Sequence, residues 1–387
     1  MTAAIRTAAK ILCVVGARPN FMKIAPIMAA LKRVFPPFDL VLVHTGQHYD
    51  AAMNDQHFAD LGIRAPDINL DVGSGTHAVQ TAEVMRRFEP VLDQQAPSLV
   101  LVVGDVNSTL ACALVAIKKN IPVAHVEAGL RSGDRTMPEE INRVLTDQIS
   151  DLLLTTERNA ADNLIREGID PARIHFVGNV MIDTLRHNLP RAIALTETVK
   201  QAGAQTVFAI DSGHYAVLTL HRPSNVDEPQ TLRQLLQTIR AISAELPVLF
   251  PVHPRTREKI EHFGLTDVMT CPSILLLPPV GYLEMLGLMK DARLVLTDSG
   301  GIQEETTALG VPCITLRNNT ERPITVKEGT NTIAGQNPEK ILAAFREIMS
   351  TGGKIGRVPE FWDGHAADRI AVVLRDWLAG PKVARVA

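Results

Sequence analysis

Short, continuous runs of apolar residues constrain the fold of this 387-residue chain more than any other feature. Examples are ILCVVG at 11–16 and LVLVVG at 99–104. A strand with one face in water alternates apolar and polar residues, whereas an unbroken apolar run is typical of a strand buried on both faces. Amphipathic stretches of helical length separate the runs. This alternation predicts α/β architecture with parallel, doubly wound sheets.

The runs form two series, which indicates two Rossmann-like domains. Strands of the first series are predicted at 11–16, 40–45, 99–104, 122–126, 151–155 and 174–178. Helices are predicted near 20–34, 77–93, 107–119, 138–149 and 157–167. Strands of the second series are predicted at 215–220, 246–252, 274–277, 293–297 and 312–316. The chain is also too long for one ordinary core.

The domain boundaries follow from where the alternation weakens. We expect an N-terminal domain at 1–184, a linker region at 185–213 and a C-terminal domain at 214–365. The last helical pattern is long enough to return to the first domain, so 366–387 is expected to complete it.

Composition narrows the function classes. The chain has 39 basic and 42 acidic residues without a basic cluster, so no nucleic-acid partner is expected. The four cysteines form no CxxC pair and fit small buried hydrophobes, and no metal-ligand cluster has convincing spacing. No apolar stretch approaches the length of a membrane span, and the run Ile11–Ala17 is too short for a secretory signal. We therefore expect no membrane association and a cytoplasmic location.

Ligands of such sheets bind at the carboxyl ends of the strands, and unusual residues follow several predicted strands. After the first strand, Arg18 and Lys23 either meet a phosphate or carboxylate at a helix N-terminus or are solvated surface residues. After the second, His44, Gln47 and His48 form a polar loop or part of a site.

Carboxylates follow the next two strands, which we expect to be neighbours in the sheet. Asp105 is either a catalytic carboxylate or part of a helix-capping segment. Glu127 follows strand 122–126. Glu139 and Glu140 lie at the start of a predicted helix, where stabilisation of the helix dipole is sufficient to explain their presence. A cluster of like charges raises at least one pKa, which suits acid/base chemistry. Arg131 and Arg143 are expected to keep the other carboxylates ionised.

Histidines and glycines follow several strands of the second series. His221 with Arg222, and His253 with Arg255, follow two predicted strands. Asp298 and the segment SGGIQEE at 299–305 follow another. Here Ser299, Gly300 and Gly301 favour close approach of a diphosphate to a helix N-terminus. Glu304 and Glu305 are expected in the first helical turn, where a carboxylate binds ribose hydroxyls, and Arg322 offers a further phosphate contact.

Six segments together resemble the non-hydrolysing UDP-N-acetylglucosamine 2-epimerases: GARPNFMK, GDVNSTLA, HVEAGLRSGDRTMPEEINR, LTLHRPSNVD, TDSGGIQEE and NNTERP. The resemblance spans about 11–335. It implies a GT-B fold with the nucleotide sugar in the cleft between two Rossmann-like domains, and a homodimer. It implies no cofactor and a UDP-sugar as the small-molecule partner.

The resemblance also implies residue roles. It makes Asp105, Glu127 and Glu139 the acid/base carboxylates and places His221 near the sugar or diphosphate. The implied substrate-binding residues are Arg18, Lys23, Arg143, His253, Ser299, Gly300, Gly301, Glu305 and Arg322, with uracil near Val280 to Met285.

The implied reaction removes the C2 proton as the C1–O bond to UDP breaks, then reverses on the other face through 2-acetamidoglucal. The short form RSGDRTMPEE also occurs in relatives that act on UDP-2,3-diacetamido-2,3-dideoxyglucuronate. That sugar stays open as an alternative substrate, and hydrolysis to ManNAc and UDP stays open as an alternative outcome.

Overall fold

The computed structural model describes residues 8–46, 62, 64–203 and 212–380, without the side chain of Arg18. The chain divides into two compact units, which are described separately below. The first comprises Met1–Thr184 and Glu360–Ala387, and the second comprises Leu185–Pro359.

These units differ from the expected boundaries in two places. Residues 360–365 group with the first unit because Phe361 stacks on Phe176 at 4.8 Å and the buried indole of Trp362 donates a hydrogen bond to the carbonyl of Thr156. Residues 185–203 of the expected linker group with the second unit, where the amide of Ile193 donates a hydrogen bond to the carbonyl of Leu283.

The first unit contains a seven-stranded parallel sheet in the order β3-β2-β1-β4-β5-β6-β7. Its strands are β1 Lys10–Val15, β2 Asp39–His44, β3 Ile68–Asn69, β4 Leu99–Val103, β5 Val123–Ala128, β6 Leu152–Thr155 and β7 Ile174–Phe176. Its helices are Arg18–Arg33, His77–Gln95, Asn107–Lys118, Pro138–Ile149, Arg158–Arg166 and Ala366–Ala379. The helix Val180–Asn188 spans the point of division, and Pro171–Arg173 forms a short 3₁₀ helix.

The second unit contains a six-stranded parallel sheet in the order β10-β9-β8-β11-β12-β13. Its strands are β8 Ala216–Thr219, β9 Val248–Pro251, β10 Ile274–Leu277, β11 Leu294–Thr297, β12 Cys313–Thr315 and β13 Asn331–Ile333. Its helices are Leu195–Gln201, Pro223–Val226, Pro229–Ser243, Pro254–His262, Thr266–Met269, Tyr282–Lys290, Gly300–Leu309, Pro323–Lys327 and Pro338–Thr351, with a 3₁₀ helix at Leu189–Arg191.

The parallel, doubly wound architecture confirms the fold class predicted from the apolar runs. Two strands were not predicted: β3 (IN) and β13 (NTI) each contain a single apolar residue, so neither forms an apolar run. In the part of the chain that the structure describes, no helix is both long and apolar enough to cross a membrane.

Each sheet has one topological switch point, where successive crossovers leave in opposite directions. In the first unit β1 lies between β2 and β4, and in the second β8 lies between β9 and β11. Ligands of open α/β sheets bind outside the carboxyl ends of the strands at such points. We therefore expect a ligand site in the loops that follow β1, β4, β8 and β11.

A buried carboxylate attaches the C-terminal helix to the first unit. Asp183 accepts hydrogen bonds from the amides of Ala366 and Ala367, at 3.1 and 2.7 Å, and so caps the helix Ala366–Ala379. Burial raises the pKa of Asp183 to about 6, against the opposing effect of these two hydrogen bonds, and the nearby Asp368 and Asp363 raise it further.

We expect this capping carboxylate to make stability depend on pH. The pKa of Asp183 is raised from 3.8 to about 6, so the folded state binds this proton more firmly than the unfolded state does. The protonated carboxyl therefore contributes fully to the free energy of unfolding below pH 4, and this contribution is lost as the pH rises through 6. Relative to Asp183→Asn, the wild type should lose up to about 3 kcal/mol between pH 4 and 7. Urea unfolding at several pH values measures this. Asp162→Asn, at an exposed position, is the matched control. The prediction would be contradicted if the difference in the free energy of unfolding between the wild type and Asp183→Asn did not change with pH.

Candidate active site

Glu127 occupies a bulge inside β5 rather than the loop after it. The pairing of β5 with β6 passes from Val126↔Leu154 to Ala128↔Thr155, so that Glu127 is the extra residue. Its φ is +72°, a left-handed conformation that costs a non-glycine residue about 1–3 kcal/mol and redirects the side chain. The expectation that the strand ends before Glu127 is therefore wrong, because an apolar pattern does not reveal a bulge.

The carboxylate of Glu127 forms a buried ion pair with Lys23, which lies in the second turn of the helix Arg18–Arg33. Only 5% of each residue is exposed. The Lys23 ammonium also lies against Gly104, because a Cβ on that glycine would be 3.0 Å from Nζ. Lys23 is therefore not a solvated surface residue, and the helix after β1, the loop after β4 and the bulge in β5 meet at this ion pair.

Asn20 fixes the turn between β1 and the helix that carries Lys23, and sequence reasoning missed it. Its side-chain oxygen accepts hydrogen bonds from the amides of Gly16 and Ala17, at 3.1 and 3.0 Å. Its side-chain nitrogen donates to the carbonyl of Val103 at 3.0 Å. One buried amide thus joins the carboxyl ends of β1 and β4.

Arg143 holds two carboxylates at the same edge of the sheet. Its guanidinium pairs with Asp105, which follows β4, and with Glu140 at 2.7 Å. Strands β4 and β5 are neighbours, as expected, so Asp105 and Glu127 extend from adjacent strands. The helix after Asp105 begins at Asn107 with Val106 as its N-cap and no side-chain capping bond, so capping does not explain this segment.

Glu140 anchors the loop before its helix. Its carboxylate accepts hydrogen bonds from the amide and hydroxyl of Ser132, both at 3.0 Å, and from the amide of Gly133 at 2.9 Å. Glu139, beside it in the first turn after Pro138, is only half-buried. Of the two neighbouring glutamates, Glu140 thus has a structural role, and Glu139 is the more accessible.

Arg131 does not hold the predicted carboxylates. It pairs instead with Asp147 at 2.7 Å and with Glu167 at 2.6 Å. Burial by itself would lower the pKa of Arg131, but these two partners raise it. The assignment from sequence was wrong because spacing along the chain does not show which carboxylate the side chain reaches.

The remaining sequence candidates of the first unit are His44, Gln47, His48 and Arg18. His44 ends β2, is 4% exposed, and packs its ring at 5.2 Å from that of Phe21, so it belongs to the core rather than to a polar loop. Gln47 and His48 lie outside the described residues, as does the side chain of Arg18, whose backbone begins the first helix.

In the second unit, Asp298 joins the loops after β8 and β11. Its fully buried carboxylate accepts hydrogen bonds from the amides of His221 and Arg222 and from the side chain of Asn225, between 2.9 and 3.2 Å. It also lies 3.0 Å from Nδ1 of His221. Burial raises the pKa of Asp298, but His221 and these amides outweigh it and lower the pKa overall.

His221 and His253 have unequal positions. The side chain of His221 is 37% exposed and is oriented by Asp298 through Nδ1. His253 caps the helix Pro254–His262, since its Nδ1 accepts a hydrogen bond from the amide of Arg255 at 3.2 Å. The two rings are 5.6 Å apart, so His253 lies beside His221 although its own contact is structural.

The helix Gly300–Leu309 presents its N-terminus beside a guanidinium. Ser299 is its N-cap without a side-chain capping bond, and Gly300 and Gly301 form its first turn. A Cβ on Gly300 would lie 3.2 Å from Nη1 of Arg322, so the glycine permits this close approach. Free amides and a nearby guanidinium suit an anion.

Arg322 belongs to a cluster of arginines and glutamates, of which sequence reasoning singled out Arg222, Arg322 and Glu304 but missed Arg317 and Glu321. Glu321 lies 2.9 Å from Arg317, 3.5 Å from Arg322 and 3.7 Å from Arg222. Arg322 also pairs with Glu304 at 3.1 Å. In this set guanidinium groups outnumber carboxylates three to two, which favours a bound anion. The segment RNNTER carries the signal, because it spaces Arg317 and Glu321 four residues apart.

Glu304 and Glu305 lie in the second turn of their helix, not the first, because the helix already begins at Gly300. Glu305 is 4% exposed. Burial raises the pKa of Tyr282, and the adjacent carboxylate of Glu305 raises it further, so these two side chains face each other. The predicted ribose residue and the predicted uracil segment are thus neighbours.

No metal centre is evident within the described ranges, where no group of three or more histidine, cysteine or acidic side chains has a suitable arrangement.

Comparison with known proteins gives one consistent family. The family model described as UDP-N-acetylglucosamine 2-epimerase matches residues 31–375. The UDP-N-acetylglucosamine 2-epimerase of Methanocaldococcus jannaschii is 44% identical over 94% of this chain and 98% of its own length. The crystal structure of that enzyme in complex with UDP-GlcNAc and UDP matches with a TM-score of 0.86, over 95% of this chain and 99% of the other.

Two other matches extend the comparison. The UDP-2,3-diacetamido-2,3-dideoxy-D-glucuronate 2-epimerase of Pseudomonas aeruginosa is 41% identical over 94% of this chain and 99% of its own length. A lipopolysaccharide outer core galactosyltransferase, 11% identical, matches with a TM-score of 0.52 over 95% of this chain and 99% of the other, which shows a GT-B-like fold.

The buried ion pair predicts a specific stability effect. Lys23→Met leaves the Glu127 carboxylate buried without its cation and should lower the free energy of unfolding by about 3–5 kcal/mol. Adding Glu127→Gln should recover part of this loss, because a neutral amide is cheaper to bury. Hydrogen exchange of β5 in urea reports on the first unit alone.

Lys32→Met, at an exposed position of the same helix, is the matched control and should change stability by no more than about 0.5 kcal/mol. Equal effects of the two lysine substitutions would contradict the prediction.

Proposed function

This chain belongs to the UDP-N-acetylglucosamine 2-epimerase family, and from that premise we propose that it interconverts UDP-GlcNAc and UDP-ManNAc. The observation that carries the proposal is the group of carboxylates held at one edge of the first sheet. Glu127 is paired with Lys23, and Asp105 with Arg143. Epimerisation at C2 needs proton removal and return on opposite faces, which calls for more than one acid/base group.

The proposed reaction begins with elimination. A carboxylate takes the C2 proton while the C1–O bond to UDP breaks and the electrons pass to the diphosphate. This leaves 2-acetamidoglucal and UDP. UDP then adds back at C1, and C2 receives a proton on the other face. Asp105, Glu127 and the half-exposed Glu139 are the candidates for these transfers, with Arg143 paired to the first and Lys23 to the second.

The second unit is proposed to bind UDP. The helix N-terminus at Ser299, Gly300 and Gly301, with Arg322, would hold the diphosphate, since amides and guanidinium groups there favour an anion. Glu305 would accept hydrogen bonds from the ribose, and the segment from Val280 to Met285 would contact uracil. His221, oriented by Asp298, would act near the diphosphate as it leaves and returns, with His253 beside it.

A second substrate has a specific observation in its favour. The relative from Pseudomonas aeruginosa has almost the same identity to this chain and acts on UDP-2,3-diacetamido-2,3-dideoxy-D-glucuronate. The reaction at C1 and C2 would be the same for both sugars. Hydrolysis to free ManNAc and UDP is the other outcome to be separated.

Proton NMR of the protein with UDP-GlcNAc in D₂O tests the proposal. We expect UDP-ManNAc to appear, with deuterium at C2 in both epimers and no free ManNAc. Glu127→Gln should lower the rate of C2 exchange by at least about 100-fold. Glu89→Gln, at an exposed position of the same unit, is the matched control and should exchange as the wild type does.

Three results would change the proposal. Intact exchange in Glu127→Gln would remove Glu127 from the reaction. Free ManNAc formed with UDP in equal amounts would indicate hydrolysis. Exchange seen only with the diacetamido-glucuronate nucleotide would assign that substrate.

A homodimer is also proposed, from the resemblance and from exposed apolar residues on the first unit. Ile141 and Leu145, 45% and 46% exposed, lie one turn apart on the helix Pro138–Ile149. Val79, 58% exposed, lies on the helix His77–Gln95, and both helices pack against Asn107–Lys118. A cytoplasmic location remains a prediction of the sequence.

Light scattering should give twice the 42.2 kDa mass of the chain. Ile141→Glu with Leu145→Glu should yield monomer, because charges would then face the apolar surface of the other copy. Ile165→Glu, also at an exposed apolar position, is the control and should stay dimeric. A dimer that survives the double substitution would place the interface elsewhere.

A further inference from the structure

His125, in the middle of β5, is fully buried, and both of its ring nitrogens meet oxygen atoms. Nδ1 lies 2.7 Å from a carboxylate oxygen of Asp147, on the helix Pro138–Ile149. Nε2 lies 2.8 Å from the carbonyl oxygen of Gly104, at the end of β4. The reaction proposed above uses neither His125 nor Asp147.

The protons of this contact can be counted. A carbonyl oxygen only accepts, so Nε2 must carry a proton. The other oxygen of Asp147 accepts from the amide of Gly129 at 3.0 Å and lies 2.7 Å from the guanidinium of Arg131, which favours an ionised carboxylate. Nδ1 must then also carry a proton. The geometry therefore describes an imidazolium between a carboxylate and a carbonyl oxygen.

Both ends of this arrangement reach loops that carry proposed catalytic carboxylates. Gly104 directly precedes Asp105, and Gly129 follows Glu127 by two residues. The φ angles of Gly104, Glu127 and Gly129 are +69°, +72° and +81°, so the backbone here departs from regular strand geometry. Side-chain contacts must therefore fix the backbone at these residues, because regular strand pairing does not.

We propose that His125 and Asp147 form a buried imidazolium–carboxylate brace that positions Asp105 and Glu127. The brace fixes the Gly104 carbonyl from β5 and the Gly129 amide from the helix, with Arg131 as the cation beyond Asp147. Both are positioning residues, since they act through the backbone of their neighbours. The proposal relies on the proposed function for the roles of Asp105 and Glu127.

The protonation of His125 is measurable without substrate. In ¹⁵N-histidine-labelled protein at pH 7, we expect both ring nitrogens of His125 to have protonated-type shifts and bound protons. Asp147→Asn should move the Nδ1 signal, which assigns it. A His125 with one unprotonated ring nitrogen would overturn the imidazolium brace.

Kinetics of C2 exchange test the positioning role. His125→Gln and Asp147→Asn should each lower kcat by about 10- to 100-fold, because small displacements of acid/base groups are costly, while KM changes less than about threefold. The double variant should be little worse than either single one, since each breaks the same brace. His175→Gln, the same substitution on β7, is the matched control and should keep the wild-type kcat.

The proposal would be overturned if the two variants kept kcat as the control does, or if only their KM changed. It would also be overturned if the kcat losses of the two single variants multiplied in the double variant. Where His125→Gln does not fold, Asp147→Asn carries the test because it nearly preserves side-chain shape. Absence of C2 exchange in the wild type would instead reject the proposed function, and the ¹⁵N spectra would still decide the brace.

Discussion

The ion pair between Lys23 and Glu127 is the contact on which the first unit's site depends. Parallel strands end at the same edge of a sheet, so charged residues placed after them are crowded and partly removed from water. A buried pair contributes little net stability compared with apolar residues of the same size, yet the loss of one partner is expensive. Stability alone therefore does not explain a charged pair at this position, on a bulge with a left-handed residue, whereas the acid/base role proposed for Glu127 does.

The two units solve the same structural problem in the same way. In each, the side chain of a buried aspartate accepts hydrogen bonds from backbone amides that follow a strand. Asp298 accepts from the amides of His221 and Arg222, and Asp147 accepts from the amide of Gly129. Each aspartate also contacts Nδ1 of a histidine, at 3.0 Å in one unit and 2.7 Å in the other. The histidines differ in burial, since His125 is fully enclosed whereas His221 is partly exposed. The same pair of residue types therefore braces backbone in the first unit and can present Nε2 to a ligand in the second.

The sequence predicted the fold well because apolar runs and helical periodicity report directly on burial. It also predicted that Asp105 and Glu127 extend from neighbouring strands, since their order along a doubly wound sheet is restricted. It did not predict the bulge at Glu127, which depends on the backbone, or the partners of Arg131, which depend on side-chain reach. His125 was overlooked for a related reason: within the run PVAHV it gives no sign that both of its nitrogens are engaged.

The arrangement of charges also bears on which sugar the site accepts. Three basic side chains described at the edge of the first sheet already face carboxylates: Lys23 faces Glu127, Arg143 faces Asp105 and Glu140, and Arg131 faces Asp147 and Glu167. A glucuronate adds a carboxylate at C6 that would need a cation of its own, whereas GlcNAc adds only a hydroxyl group there. Diverting one of these cations to the sugar would leave a buried protein carboxylate less well compensated, at a cost of several kcal/mol. The charge balance around these three cations therefore favours the neutral sugar, although the reaction at C1 and C2 would be the same for both.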